Sequence, residues 1–236
     1  MARRAVAEAL GTAFLLAAIV GSGIMGEPLA GGNIAIALLA NTLATGAMLV
    51  ALILTFGPIS GAHFNPAVTL ADASQSGLNW REVPVYIAAQ ISGAFAGVAA
   101  AHLMFGEPLF FASRHTTAGG AQLFSEFVAT FGLLASIWGC ARLRSSAVPF
   151  AVGAYITGAY WFTSSTSFAN PAVTLARAAS DTFAGIRPAD TPGFITAQLA
   201  GAMAATLLFR WLVPSLSNDA GNVVVAHSQK ETTRAR

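Results

Sequence analysis

Apolar residues fill this chain in long runs that short polar or glycine-rich stretches separate. A helix needs about 20 mainly apolar residues to cross the hydrocarbon core of a bilayer. Six runs predict membrane-spanning helices, at residues 5–25, 33–56, 82–105, 122–142, 147–161 and 196–213. The pattern therefore predicts an all-α membrane protein with six transmembrane helices.

Two short segments between these runs have the same sequence. The heptapeptide NPAVTLA occurs at residues 65–71 and again at residues 170–176, which indicates that both halves of the chain follow one plan. Asn caps a helix and Pro is favoured at the first helical position, so each copy predicts a helix start. Residues 72–77 are expected to end the first helix and residues 184–188 the second. That leaves about three turns or fewer, too short for a span, and predicts two re-entrant half-helices.

The half-helices divide the chain into two repeats of three spans each. We predict a first repeat over residues 1–110, with its half-helix at Asn65, and a second over residues 111–214, with its half-helix at Asn170. An odd number of spans inverts the second repeat, so the half-helices enter from opposite faces and meet at their N-termini. The polar residues 215–236 are expected to form a cytoplasmic tail.

Composition and charge agree with a membrane protein. Hydrophobic residues make up 55% of the chain and charged residues 9%, whereas soluble domains carry about 25% charged residues. The excess of basic residues is too small to indicate nucleic acid as a partner. The spans place nine Lys and Arg on one side of the membrane and three, Arg114, Arg177 and Arg187, on the other. By the positive-inside rule, both termini are predicted to be cytoplasmic, in an inner or plasma membrane.

The residues around the first repeat motif carry a family resemblance. The segment SGAHFNPAVT at residues 60–69, followed by a second Asn-Pro-Ala, resembles the aquaporin, or major intrinsic protein, family. The resemblance implies a passive channel in the lipid bilayer, assembled as a homotetramer. It also implies that the two motifs line the middle of the pore, through the residues Asn65, Pro66, Ala67, Asn170, Pro171 and Ala172.

The chemistry of such a pore favours small neutral hydroxylated solutes. If each Asn oxygen caps its half-helix, the amide N–H groups are left as donors to the lumen. Two positive helix ends disfavour cations. The sequence has no metal cluster, no nucleophile with a base and no phosphate-binding loop, so we expect no enzyme activity, no metal and no cofactor. A coupled transporter of inverted-repeat type remains the alternative, with Glu8 and Glu126 as its available intramembrane carboxylates.

The resemblance also implies a constriction of four residues. Counting from the two asparagines without gaps, these are Thr45, Gly158, Ser167 and Val173. Family members normally carry Arg where this chain has Val173, and the sequence is similar to a bacterial subgroup, associated with arsenic resistance, that also has Val there. A wide, uncharged ring would pass glycerol and metalloid hydroxides such as arsenous acid besides water. If Arg177 or a phenylalanine, Phe162 or Phe168, narrows the ring, the alternative is a mainly water-conducting channel.

Three further polar residues stand in apolar surroundings. A carboxylate inside a bilayer is costly unless it is paired, solvated or functional. In the resembled family the acids equivalent to Glu8 and Glu126 accept hydrogen bonds from the backbone of the re-entrant loops, and a proton relay is the alternative. His63 is expected to stabilise its loop by hydrogen bonding, with pH sensing as the alternative.

Overall fold

The computed structural model describes residues 1–213, apart from the side chains of Arg142 and Leu143. This part of the chain contains helices, turns and loops but no strand. The predicted tail at residues 215–236, with its three basic residues, lies outside the described residues. The α-helices are α1 Ala2–Leu29, α2 Ile34–Ser60, α3 Pro66–Ser74, α4 Val83–Phe105, α5 Gly120–Leu143, α6 Val148–Phe162, α7 Pro171–Arg177 and α8 Thr191–Leu212.

The long helices correspond to the six predicted spans. Among residues 1–213, five helices are long and apolar enough to cross a membrane. The sixth, α6, has 15 residues and extends about 22 Å at about 1.5 Å per residue. A short 3₁₀ turn, Ser145–Ala147, precedes it. The all-α fold is therefore confirmed, with five long apolar helices, the shorter α6 and two half-helices.

The half-helices are short, as predicted, but the second ends earlier than expected. Helix α3 has nine residues and α7 has seven. We expected residues 184–188 to end α7, which instead stops at Arg177. The carbonyls that follow Arg177 accept hydrogen bonds from the loop before α5 and not from a further turn of helix. Ser113 N–H donates to the Ala178 carbonyl at 3.0 Å and Phe111 N–H to the Ala179 carbonyl at 3.1 Å.

Equivalent helices of the two halves pack in equivalent ways. Helix α1 packs on α2 and α4, helix α5 packs on α6 and α8, and α2 meets α6 between the halves. Glycines allow the closest of these contacts. A methyl group at Gly93 would lie 2.2 Å from the Ala9 carbonyl oxygen, and one at Gly201 would lie 2.3 Å from the Phe127 carbonyl oxygen. Such close backbone approach is typical of helix pairs in membranes.

Candidate functional site

The two half-helices begin opposite each other inside the bundle. The Asn65 side-chain oxygen accepts a hydrogen bond from the Ala67 N–H at 2.9 Å. The Asn170 oxygen likewise accepts from the N–H groups of Ala172, at 3.0 Å, and Val173, at 3.3 Å. Both asparagines are therefore N-caps. The proline and alanine that follow each of them are buried in the first turn.

Each asparagine also reaches across to the loop of the other half. Asn65 Nδ2 donates to the Ala169 carbonyl and Asn170 Nδ2 donates to the Phe64 carbonyl, both at 2.8 Å. We had expected the amide N–H groups to be left for the lumen. One hydrogen of each amide is instead used between the loops, so each side chain retains one donor.

The loops that lead into the half-helices have an unusual backbone. Phe64, Ser167 and Ala169 adopt left-handed conformations, with φ of 49°, 52° and 48°. This region is sparsely populated for residues other than glycine and costs free energy unless the surroundings stabilise it. Two buried carboxylates accept hydrogen bonds from the N–H groups of Phe64 and Ala169, and Ser165 Oγ accepts one from the N–H of Ser167.

Glu8 supports the first loop. Its carboxylate accepts hydrogen bonds from Ser60 Oγ at 2.6 Å, His63 N at 3.0 Å, Phe64 N at 2.7 Å and Gln90 Nε2 at 2.8 Å. Both oxygens are thus occupied by donors from the end of helix α2, from the loop and from helix α4. Glu8 does not line the cavity described below.

Glu126 supports the second loop in the same way. Its two oxygens accept from Phe168 N and Ala169 N, each at 2.9 Å, and from Gln198 Nε2 at 2.6 Å. Gln198 also donates to Thr174 Oγ1 at 2.8 Å. The sequence contained a signal for this glutamine, because AQISGA and AQLAGA recur with Gln90 and Gln198 at the same place.

His63 joins the first loop to its half-helix. Its Nδ1 lies 3.1 Å from Thr69 Oγ1 and its Nε2 lies 3.6 Å from Asp72 Oδ2. The ring also packs against Tyr86, with 5.4 Å between the ring centroids. The His63 side chain is 3% exposed and forms part of the cavity wall.

A narrow cavity of about 60 Å³ runs past the two asparagines. Its wall is mainly apolar, and includes Leu15, Ile19, Leu49, Ile53, Val152 and Ile156. Polar groups from both half-helices and from the adjacent helices interrupt this wall. A solute in the cavity would therefore leave most of its water behind and meet a few fixed polar groups.

Three of the four residues predicted for the constriction line this cavity, namely Thr45, Ser167 and Val173. Gly158, the fourth, does not line it: the residue is exposed, and no atom beyond its own stretch of helix lies within 4 Å of where its Cβ would be. Tyr160 lines the cavity in its place, with its hydroxyl 3.3 Å from Thr45 Oγ1. Residues two apart on a helix point about 200° apart, so an offset wrong by two selects the opposite face.

Arg177, whose position the sequence left open, is also part of the cavity wall. Its side chain is buried, and its Nε donates to the Ala184 carbonyl. The guanidinium carbon lies 3.4 Å from the centroid of the Phe168 ring. Phe168 lines the cavity as well, whereas Phe162 is 60% exposed and does not.

No group of three or more His, Cys, Asp or Glu side chains that could hold a metal ion occurs in the described part of the chain. The polar groups of the site are backbone carbonyls, amides, hydroxyls, the His63 imidazole and one guanidinium. Such groups bind and orient a polar molecule by hydrogen bonding.

Comparison with known proteins gives consistent matches over the whole chain. The profile of the major intrinsic protein family matches residues 1–157 and 140–235. The chain is 56% identical to aquaglyceroporin AqpS of Rhizobium meliloti (strain 1021), over 90% of this chain and 91% of that protein. It is 35% identical to aquaporin NIP1-3 of Oryza sativa subsp. japonica, over 66% of this chain and 55% of the relative. The X-ray structure of the aquaglyceroporin from Plasmodium falciparum matches with a TM-score of 0.68 over 92% of this chain and 99% of that chain, at 20% identity, which shows a shared fold.

Proposed function

Because this chain belongs to the major intrinsic protein family, whose aquaglyceroporins are membrane channels and not enzymes, we propose that it carries glycerol and metalloid hydroxides such as arsenous acid, besides water, passively across a bilayer. The channel class for small neutral solutes follows from the family. The metalloid hydroxides and the residues that select among solutes are the proposal.

One observation carries the proposal: two half-helices start face to face at a narrow, mainly apolar cavity. A helix N-terminus carries about half a positive charge, so the pair disfavours cations. Asn65 and Asn170 each retain one amide donor there. A neutral hydroxylated solute replaces part of its lost hydration with these donors, whereas an ion does not.

The proposed constriction consists of Thr45, Tyr160, Ser167 and Val173. Val173 places a short apolar side chain on the first turn of α7, which leaves more room than a long cationic one. The hydroxyls of the other three residues keep the ring mildly polar. The 56% identity to a protein named an aquaglyceroporin supports a pore that admits solutes larger than water.

A second candidate function is a mainly water-conducting channel. It is favoured by the small cavity, about 60 Å³, and by the presence of an aromatic ring and a guanidinium on its wall. Both Tyr160 and Arg177 occupy space that a wide pore would leave open. Permeability ratios separate the two candidates.

We also propose that both termini are cytoplasmic and that four copies assemble around their exposed apolar faces. Val6, Leu10 and Phe14 form one such face on α1, and they are 57%, 47% and 54% exposed. Exposed apolar residues at this spacing contact lipid or a neighbouring subunit. Cross-linking in the native membrane tests the assembly.

The experiment is stopped-flow light scattering on proteoliposomes of the full chain, with empty liposomes as the control. Glycerol and arsenous acid permeabilities well above those of empty liposomes support the proposal. Water permeability alone supports the second candidate. Flux that requires a proton or sodium gradient would contradict a passive channel and indicate a coupled transporter.

A further inference from the structure

We infer that Arg177, stacked on Phe168, excludes cations at the α7 end of the cavity and donates hydrogen bonds to the oxygen atoms of passing solutes. This inference rests on the channel function proposed above and assigns its charge selectivity to a particular pair of side chains. The neutral solutes that fit are those with acceptor oxygens, such as polyols and hydroxides.

The guanidinium of Arg177 is buried without a counter-ion. The residue is 4% exposed, and none of the ion pairs in the described part of the chain includes it. Its Nε is bound to the Ala184 carbonyl. Its two terminal nitrogens make no hydrogen bond to the described residues. Neither is a fully buried atom, and the residue lines the cavity. Those N–H groups are therefore available to a molecule in the cavity.

The aromatic ring of Phe168 compensates part of the cost of burying this charge. Removing a cation from water without a partner is strongly unfavourable. A guanidinium that lies flat on an aromatic face recovers some of that free energy and is fixed in orientation. The ring itself is held in place, since it packs edge-on against Phe194 with 5.3 Å between centroids. The Phe168 N–H is bound to the Glu126 carboxylate at 2.9 Å.

Position on α7 determines where this charge acts. Val173 and Arg177 are four residues apart, on one face of the helix, and both line the cavity. The guanidinium thus belongs to the last residue of α7, one turn beyond Val173 and further from the positive N-terminus of the helix, along the same wall. A cation in the cavity meets both, one after the other.

The expected size of the effect follows from Coulomb's law. For a monovalent cation about 6 Å from the guanidinium, at an effective dielectric constant of about 20, the charge lowers passage about 100-fold. Neutral solutes carry no net charge, so this Coulomb repulsion does not act on them. Removal of the charge should therefore change cation leakage far more than glycerol flux.

The test compares Arg177→Gln with the wild-type channel in proteoliposomes that contain a pH-sensitive dye. A potassium gradient with valinomycin drives protons inward, and glycerol flux is measured on the same vesicles. We expect proton leakage to rise at least about tenfold in the variant, allowing for screening inside the cavity. Glycerol flux loses the guanidinium hydrogen bonds but no charge repulsion, so it should change by a smaller factor. Arg114→Gln is the matched control, because it removes the same charge from an exposed residue outside the cavity.

Two more variants keep the inference testable if Arg177→Gln misfolds. Arg177→Lys retains the charge and should retain proton exclusion, but its ammonium cannot stack flat, so the ratio of glycerol to water flux should change. Phe168→Leu removes the stacking surface and should raise proton leakage with Arg177 still present. Proton leakage at the wild-type level in both Arg177→Gln and Phe168→Leu, with glycerol flux intact, would overturn the inference. Absence of any solute flux in the wild-type channel would instead overturn the proposed function.

Discussion

Asn65 and Asn170 each cap their own half-helix and, at 2.8 Å, donate to a backbone carbonyl of the other's loop. The two halves of the chain are therefore joined at their centre by a reciprocal pair of hydrogen bonds between side chain and backbone. Because both bonds are buried, the loss of either leaves a carbonyl without its donor. The same two side chains that face the cavity thus also stabilise the fold.

Replacement of Asn65 by Asp tests this double role. The carboxylate still caps α3 but places a negative oxygen against the Ala169 carbonyl, where a donor is needed. We expect a loss of about 2 kcal/mol, which lowers the unfolding temperature by about 4–8 °C for a chain of this size. Because the negative charge offsets the positive end of the half-helix, cation leakage should also rise.

Asn65→Ser is the control for this variant. A serine retains the cap but has neither the charge nor the reach to the opposite loop. It should lower the unfolding temperature without increasing cation leakage. Equal leakage in the two variants would show that loop disorder, and not charge, admits cations.

Glu126→Gln should destabilise the second loop strongly. The wild-type carboxylate accepts hydrogen bonds from buried donors that include Phe168 N, Ala169 N and Gln198 Nε2, and such charge-assisted bonds are stronger than neutral ones. A glutamine directs its own NH₂ at one of these donors. We expect a loss of about 3 kcal/mol, or about 6–12 °C in unfolding temperature, measured by differential scanning fluorimetry in detergent.

A proton-relay role for the same glutamate predicts a different outcome. Glu126→Gln would then leave stability close to wild type and abolish a proton-dependent flux. Solute flux measured with and without a pH gradient distinguishes the two roles.

The sequence predicted the framework of the site well. Composition and apolar runs indicated the spans, and the repeated Asn-Pro signal located both half-helices to the residue, because a cap and a first-turn proline act locally. Such local signals do not depend on how distant helices pack. For that reason the starts of α3 and α7 were predicted, whereas the end of α7, which depends on the loop at residues 111–113, was not.

The cavity wall was predicted less well. Whether Gly158 or Tyr160 faces the cavity depends on the rotation of α6, which is set by packing against α2 and α5. A count of residues from a distant asparagine does not contain that rotation. The position of Arg177 likewise depends on the Phe168 ring and on the Ala184 carbonyl, two contacts with residues outside α7.

Gly201→Ala should separate helices α5 and α8. A methyl group there would lie 2.3 Å from the Phe127 carbonyl oxygen, so the backbones must move apart. We expect a loss of about 2–3 kcal/mol, as for other overpacked sites, seen as a lower unfolding temperature. Gly158→Ala is the matched control, since its methyl group meets no atom within 4 Å. The control should be neutral or stabilising by up to about 1 kcal/mol, because alanine favours helix.

Tyr160→Ala should widen the cavity near Thr45. The substitution removes the ring and the hydroxyl that lies 3.3 Å from Thr45 Oγ1. We expect the glycerol permeability to rise at least about threefold relative to the water permeability, which corresponds to a barrier change of about 0.7 kcal/mol. Gly158→Leu, which adds a side chain outside the cavity, should leave the ratio unchanged. If only Gly158→Leu changes the ratio of glycerol to water permeability, Gly158 and not Tyr160 belongs to the constriction.

Val173→Arg tests whether the short side chain on the first turn of α7 is what admits larger solutes. Val173 is 2% exposed and lines the cavity one turn before Arg177, so the variant places a second guanidinium on the same wall. The added volume should reduce glycerol and arsenous acid permeabilities at least about tenfold, a barrier increase of about 1.4 kcal/mol, with a smaller effect on water. Val173→Met, similar in length but uncharged, separates volume from charge. If Val173→Arg lowers the permeabilities of all three solutes equally while Val173→Met lowers none, the loss reflects misfolding around an unpaired buried charge, and Val173 does not set the width of the pore.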